Sequence, residues 1–200
     1  MPPRPFTANR APRTVRHDGP SDQALLRFTW FTRDDSDPHE TLALSLLERI
    51  VRVELTDTLR EKLGKAYSPG VSSNASRTWR GYGTFSINAS VDVGQVAATR
   101  AAILETLAAL RAAPISDDML LRARAPMLEG YDNALKTNGG WLTLVDRAQT
   151  ESDRIERYAT GKARVAAITP ARLQALVQQY LADTAAVQVT VLPEGVDPPN

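Results

Sequence analysis

A chain of 200 residues, 42% hydrophobic and 24% charged, is long enough to bury one full core. Its 24 basic and 23 acidic residues leave a net charge of +1, so no overall field attracts nucleic acid; the lack of cysteine excludes disulfides, thiol catalysis and thiolate metal sites. No apolar run reads as long enough to cross a bilayer and the N-terminus has no apolar signal core, while the absence of cysteine fits cytoplasm and bacterial periplasm alike, the periplasm slightly preferred.

Residues 1–13, rich in Pro and Arg, read as a linker or disordered lead-in, residues 14–193 as a single domain and 194–200 as a tail. Thr14 to His17 is a short strand, followed by a Gly19-Pro20 turn. Gln23 to Thr32 is a half-buried antiparallel strand with Leu26, Phe28 and Trp30 on one face and Arg27 and Thr29 on the other. The acidic run D-D-S-D-P-H-E that follows lacks the spacing and glycine of a calcium loop, and its charges suit a helix N-terminus. From Thr41 to Leu63, apolar residues at Leu42, Leu46, Leu47, Ile50, Val51, Val53, Leu55 and Leu59 cover a wider band than a surface helix needs, so this is the central helix, ended by Gly64.

Val71 to Trp79 and Tyr82 to Val91 predict a hairpin around Arg80-Gly81, the second strand burying Phe85, Ile87, Ala89 and Val91. Asp92 opens another helix, with Gln95 placed for a capping box and a core stripe of Val96, Ile103, Leu104, Leu107 and Leu110. Ser116 caps a helix through Met119, Leu120 and Met127 that Pro126 kinks or breaks. Asn138-Gly139-Gly140 interrupts the pattern as a hinge or tight helix connection, without the context of a phosphate loop, and Trp141, Leu142, Leu144 and Val145 read as core or interface. A polar helix from Glu151, a helix from Pro170 to Leu181 capped by Thr169, and a strand from Val187 to Leu192 complete an α+β fold, a mostly antiparallel sheet covered on one side by helices.

Chemistry concentrates in L-R-E-K-L-G-K-A-Y-S-P, Leu59 to Pro69. Arg60 falls on the last helical turn and Tyr67 at the start of the next strand, bringing a guanidinium fork and a phenol to one end of the helix. Both are hydrogen-bond donors, and neither makes a nucleophile. The two histidines, His17 and His39, lie far apart with no H-x-x-E-H around either, and His39 reads as a loop residue.

The run L-R-E-K-x-G-x-x-Y-S after a long helix resembles the C-terminal, non-zinc-binding domain of pitrilysin and insulysin type (inverzincin) zinc metallopeptidases, including the bacterial processing-peptidase-like members. The order of elements from about Asp22 to Pro193 follows the same pattern. The resemblance implies a mitochondrial-processing-peptidase-like half-domain with no catalytic residue, metal ligand or cofactor of its own. Zinc is then expected in a partner half, fused in the same precursor or supplied as a separate subunit. By the same resemblance the substrate-binding residues are Arg60, gripping the main chain of a peptide, and Tyr67, donating near the scissile carbonyl. Lys65 departs from the pattern, standing where relatives often carry an apolar residue. The implied partners are the zinc-bearing half and a peptide, with no nucleic acid and no membrane span; a homodimer is a further arrangement open to the chain. The alternative function is a catalytically dead peptidase-like scaffold or assembly subunit. A free-standing peptide- or nucleic-acid-binding module has only the charged N-terminus in its favour.

Overall fold

The period-2 alternation of Gln23–Thr32 and Gly83–Asp92 makes two long strands that pair antiparallel, with Leu26 opposite Ala89, Phe28 opposite Ile87 and Trp30 opposite Phe85. Because the side-chain period matches the pleat, all six point to one face, and all are buried. The computed structural model describes residues 2–3, 9–64 and 69–197. In chain order its elements are β1 (Arg13–His17), β2 (Gln23–Thr32), α1 (Pro38–Leu63), β3 (Gly70–Ala75), β4 (Gly83–Asp92), α2 (Val96–Ala112), α3 (Asp117–Ala134), α4 (Asn138–Val145), α5 (Arg154–Ala166), α6 (Pro170–Tyr180) and β5 (Val187–Pro193). The five strands form one sheet in the order β1-β5-β2-β4-β3, in which only β1 and β5 run parallel. Helices flank the sheet on the face that carries Trp30, the expected α+β arrangement.

Trp30 anchors this core. It is fully buried, stacks on Phe28 with ring centroids 5.8 Å apart, and donates from its indole nitrogen to the Ala182 carbonyl at 2.9 Å. A large apolar ring thus fills the space between sheet and helices without leaving its polar atom unpaired. The central helix α1 buries Leu46, Leu47, Ile50, Val51, Leu55 and Leu59, touches β3 and packs on α2, α3, α5 and α6. Val53, read as part of its apolar band, is exposed.

Several local signals yield to longer-range packing. Helix α1 starts at Pro38, earlier than Thr41, because the Asp37 carboxylate caps the His39 and Glu40 N–H groups; His39 therefore sits in the first helical turn and not in a loop. Strand β3 ends at Ala75, short of Trp79, and β4 runs through Asp92, which pairs with Gln23. Asp92 is the N-cap residue of a 3-10 turn, Val93–Gln95, that leads into α2 at Val96, but its side chain makes no capping bond, so the capping box does not form. Helix α3 continues through Pro126 to Ala134. Asn138-Gly139-Gly140 forms the first turn of α4 instead of an interruption, capped by Thr137. There the chain passes so closely that a Cβ on Gly140 would lie 1.5 Å from the Ala134 carbonyl oxygen, which makes the pair a tight helix connection. Trp141, Leu142 and Val145 on α4 are 52%, 67% and 51% exposed, so they do not belong to the core. One stretch, Val93–Ala112, is long and apolar enough to meet the criterion for a membrane span, contrary to the sequence reading. Its Val96, Ala102, Ile103 and Leu107 are buried in the core.

Candidate functional site

Position 60 owes its placement to how α1 ends. Gly64 adopts φ 63°, a left-handed conformation that costs a glycine nothing, and its N–H donates to the Arg60 carbonyl at 3.1 Å. Leu59, fully buried, turns the preceding side chain inward. Arg60 turns outward: its guanidinium is largely exposed and reaches Asp57 through a long 3.4 Å contact. An exposed pair of this length contributes little to stability. Lys62, two positions on, ties the same turn to Glu105 of α2. Beside it, Glu54, Thr58, Glu61, Ala109 and Ile115 line a groove of about 530 Å³ between α1 and the end of α2. Tyr67 and Lys65 lie outside the described residues.

A second polar cluster, unseen in the sequence, ties three loops together. Asp35, buried at the start of the acidic run, accepts from Arg77 Nε at 2.5 Å, Arg157 Nη1 at 2.9 Å and Thr41 Oγ1 at 2.9 Å. Arg157 also donates to the Asp35 carbonyl at 2.7 Å and pairs with Asp153, while Arg77 reaches Asp153 at 3.2 Å and Glu151. These side chains line a cleft of about 390 Å³. Each of its carboxylates, Asp35, Glu151 and Asp153, faces a guanidinium. Next to it the Asp34 carboxylate accepts from the Ser36 hydroxyl at 2.5 Å and the Gly81 N–H at 2.6 Å. The acidic run thus does more than favour a helix N-terminus: Asp37 caps α1, while Asp34 and Asp35 turn inward and fasten the run to the loop between β3 and β4 and to α5. Sequence could show the charges but not their partners, which lie 42 to 122 positions away. A third buried acid, Glu40, accepts from the Tyr180 hydroxyl at 2.5 Å and from Arg172 at 3.0 Å; burial, then this bond, push the phenol pKa upward.

Hydrogen bonds hold three of these carboxyls below their ordinary values: the Ser36 hydroxyl and Gly81 N–H act on Asp34, Arg157 on Asp153 and Arg154 on Glu151. A carboxyl depressed by folding stabilises the native state fully above its unfolded value, and that contribution is lost as pH falls through the folded value. The ordinary values are 3.8 for the aspartates and 4.5 for Glu151. The urea midpoint is therefore expected to hold from neutral pH to near 4.5 and to decline below 3.8. A midpoint that stayed level through that lower range would contradict these bonds.

Among the described residues, no three His, Asp or Glu side chains gather as a metal-binding group. The sequence model of the family described as "Peptidase M16 inactive domain" matches residues 1–127. The chain belongs to this family. No curated protein matches this M16 inactive domain. Among solved structures, a protease from Helicobacter pylori superposes with a TM-score of 0.77 at 14% identity, over 91% of this chain and 44% of that one. The periplasmic protease PqqL from Escherichia coli gives 0.76 at 14%, over 92% and 21%. A peptidase M16 inactive domain from Pseudomonas fluorescens gives 0.75 at 18%, over 94% and 45%. At such identities the similarity establishes the fold, and the M16 inactive domain spans less than half the length of each of these chains.

Proposed function

We propose that this chain is the substrate-binding, catalytically inactive half of a pitrilysin-type zinc metallopeptidase, active only beside a half that carries H-x-x-E-H. Membership of the M16 inactive-domain family is the observation that carries the reading. The exposed, loosely held guanidinium of Arg60 at the end of the central helix supports it. In this reading residues 14–193 form the working unit, Arg60 grips the main chain of an extended peptide, and Tyr67 donates to the oxyanion that develops at the scissile carbonyl. The zinc-bearing half, in the same precursor or a separate subunit, supplies the metal and the activated water. The periplasm is the proposed compartment, in keeping with the periplasmic PqqL.

The deciding experiment is cleavage of a quenched peptide library by this chain alone and mixed with the polypeptide encoded immediately upstream. Cleavage in the mixture only, abolished by a chelator, is the expected result. Stable association without cleavage would point instead to a catalytically dead scaffold. Cleavage by the chain alone would overturn both readings.

A further inference from the structure

Strand β3 is the outermost strand on its side of the sheet, and among the described residues its ladder partner is β4. In an antiparallel ladder every second residue turns its N–H and C=O away from the partner, so an edge strand offers unpaired groups to any extended chain alongside. On β3, α1 fills two of these places with side chains. The Val71 carbonyl accepts from Arg52 Nη2 at 2.6 Å, and the Ser73 N–H donates to Glu48 Oε2 at 3.0 Å. Arg52 and Glu48 also hold each other at 2.5 Å, one helical turn apart. The spacing explains the fit. Four residues of helix rise about 6 Å, close to the roughly 6.8 Å between alternate residues of an antiparallel strand, so one i,i+4 pair meets the outward groups of Val71 and Ser73 in register.

We propose that Glu48 and Arg52 stand in for a sixth strand, closing the β3 edge against the β3 edge of a second copy of this chain. The second copy is the partner the edge fits. Two β3 edges related by a two-fold axis run antiparallel and are self-complementary. The segment Gly70–Ala75 carries neither proline nor charge to prevent that pairing on its own. The plug combines one donor and one acceptor on adjacent turns, as a neighbouring strand does, and its opposite charges offset each other. This inference does not rest on the peptide-binding reading.

The test compares the native chain with Glu48→Ala/Arg52→Ala by light scattering over a dilution series and by hydrogen exchange at the Ser73 amide. Both positions are in a helix, where alanine is well tolerated. The double variant should double in mass as concentration rises, beyond any association of the native chain. When dilute, its Ser73 amide should exchange on the order of tenfold faster than in the native chain. Adding Ser73→Pro, which removes the outward donor, should return the mass to that of the native chain. Association that survives Ser73→Pro places the contact elsewhere and overturns the proposal, as does faster exchange with no gain in mass. Should the double variant not fold, Glu48→Ala alone is read at the same amide, and unchanged exchange there overturns the plug.

Discussion

Replacing Asp35 with alanine is expected to destabilise the fold by about 3–5 kcal/mol, the range for removing one partner of a buried ion pair. The Asp35 side chain is 9% exposed, with Arg157 at 21% and Arg77 at 34%. Its removal leaves two guanidiniums facing the space where their shared acceptor stood, and the Thr41 hydroxyl loses a bond. The loop after β3 and the start of α5 would still be joined by the more exposed pair of Arg77 with Asp153, while the loop before α1 would keep its backbone bonds to Ser76 and Arg157. Asp35→Asn, which keeps an acceptor but not the charge, should fall between the variant and the native protein. Urea midpoints with an unchanged slope would measure the loss. A deficit below about 1 kcal/mol, typical of a surface pair, would mean that the cluster is solvated and contributes little.

Tyr67→Phe, assayed with the zinc-bearing half present, should lower kcat by about 10²–10³ while KM changes little, the pattern for a donor that acts only on the transition state. Arg60→Ala should differ, raising KM as well, because a grip on the peptide main chain operates before and during the reaction. Arg60 is largely exposed and held by a long contact, so its loss should shift stability by no more than about 0.5 kcal/mol. Equal losses in turnover and affinity for Tyr67→Phe would remove the oxyanion role. An Arg60→Ala enzyme with unchanged kinetics would remove Arg60 from the site.

What the sequence revealed was what neighbours in the chain decide. The bounds of β2, the end of α1 at Leu63 with Gly64 behind it, the buried faces of β2 and β4, and the caps at Ser116 and Thr169 all follow from periodicity or a side chain reaching its own backbone. Distant partners decided the rest. Asp92 does open the next helical segment, as N-cap residue of the 3-10 turn before α2, but it also ends β4 opposite Gln23, and its side chain makes no capping bond. Pro126 reads as a kink or a break, yet α3 runs on unbroken to Ala134 and packs against α1 and α5, a tertiary contact that offsets the local cost. An apolar run such as Trp141 to Val145 shows hydrophobicity without showing what covers it. Of the candidate site, the turn that carries Arg60 was legible because Gly64 fixes it. The ionic hub around Asp35 was not, since its arginines come from the loop after β3 and from α5.

The position of β5 also bears on how the protein is made. It lies between β1 and β2, so residues near position 190 complete a layer whose neighbours are synthesised at the opposite end of the chain, with Arg13 beside Val189 and Leu25 beside Val191. Pairing so distant in sequence is slow to form, because the chain entropy is spent before the contact repays it. During translation β2 can pair with β4 on one side, but among the described residues the ladder on its other side, and that of β1, waits for β5. The nascent domain therefore exposes an adhesive flank for most of its synthesis, and holding that flank away from other chains falls to whatever escorts it until the last strand slots in.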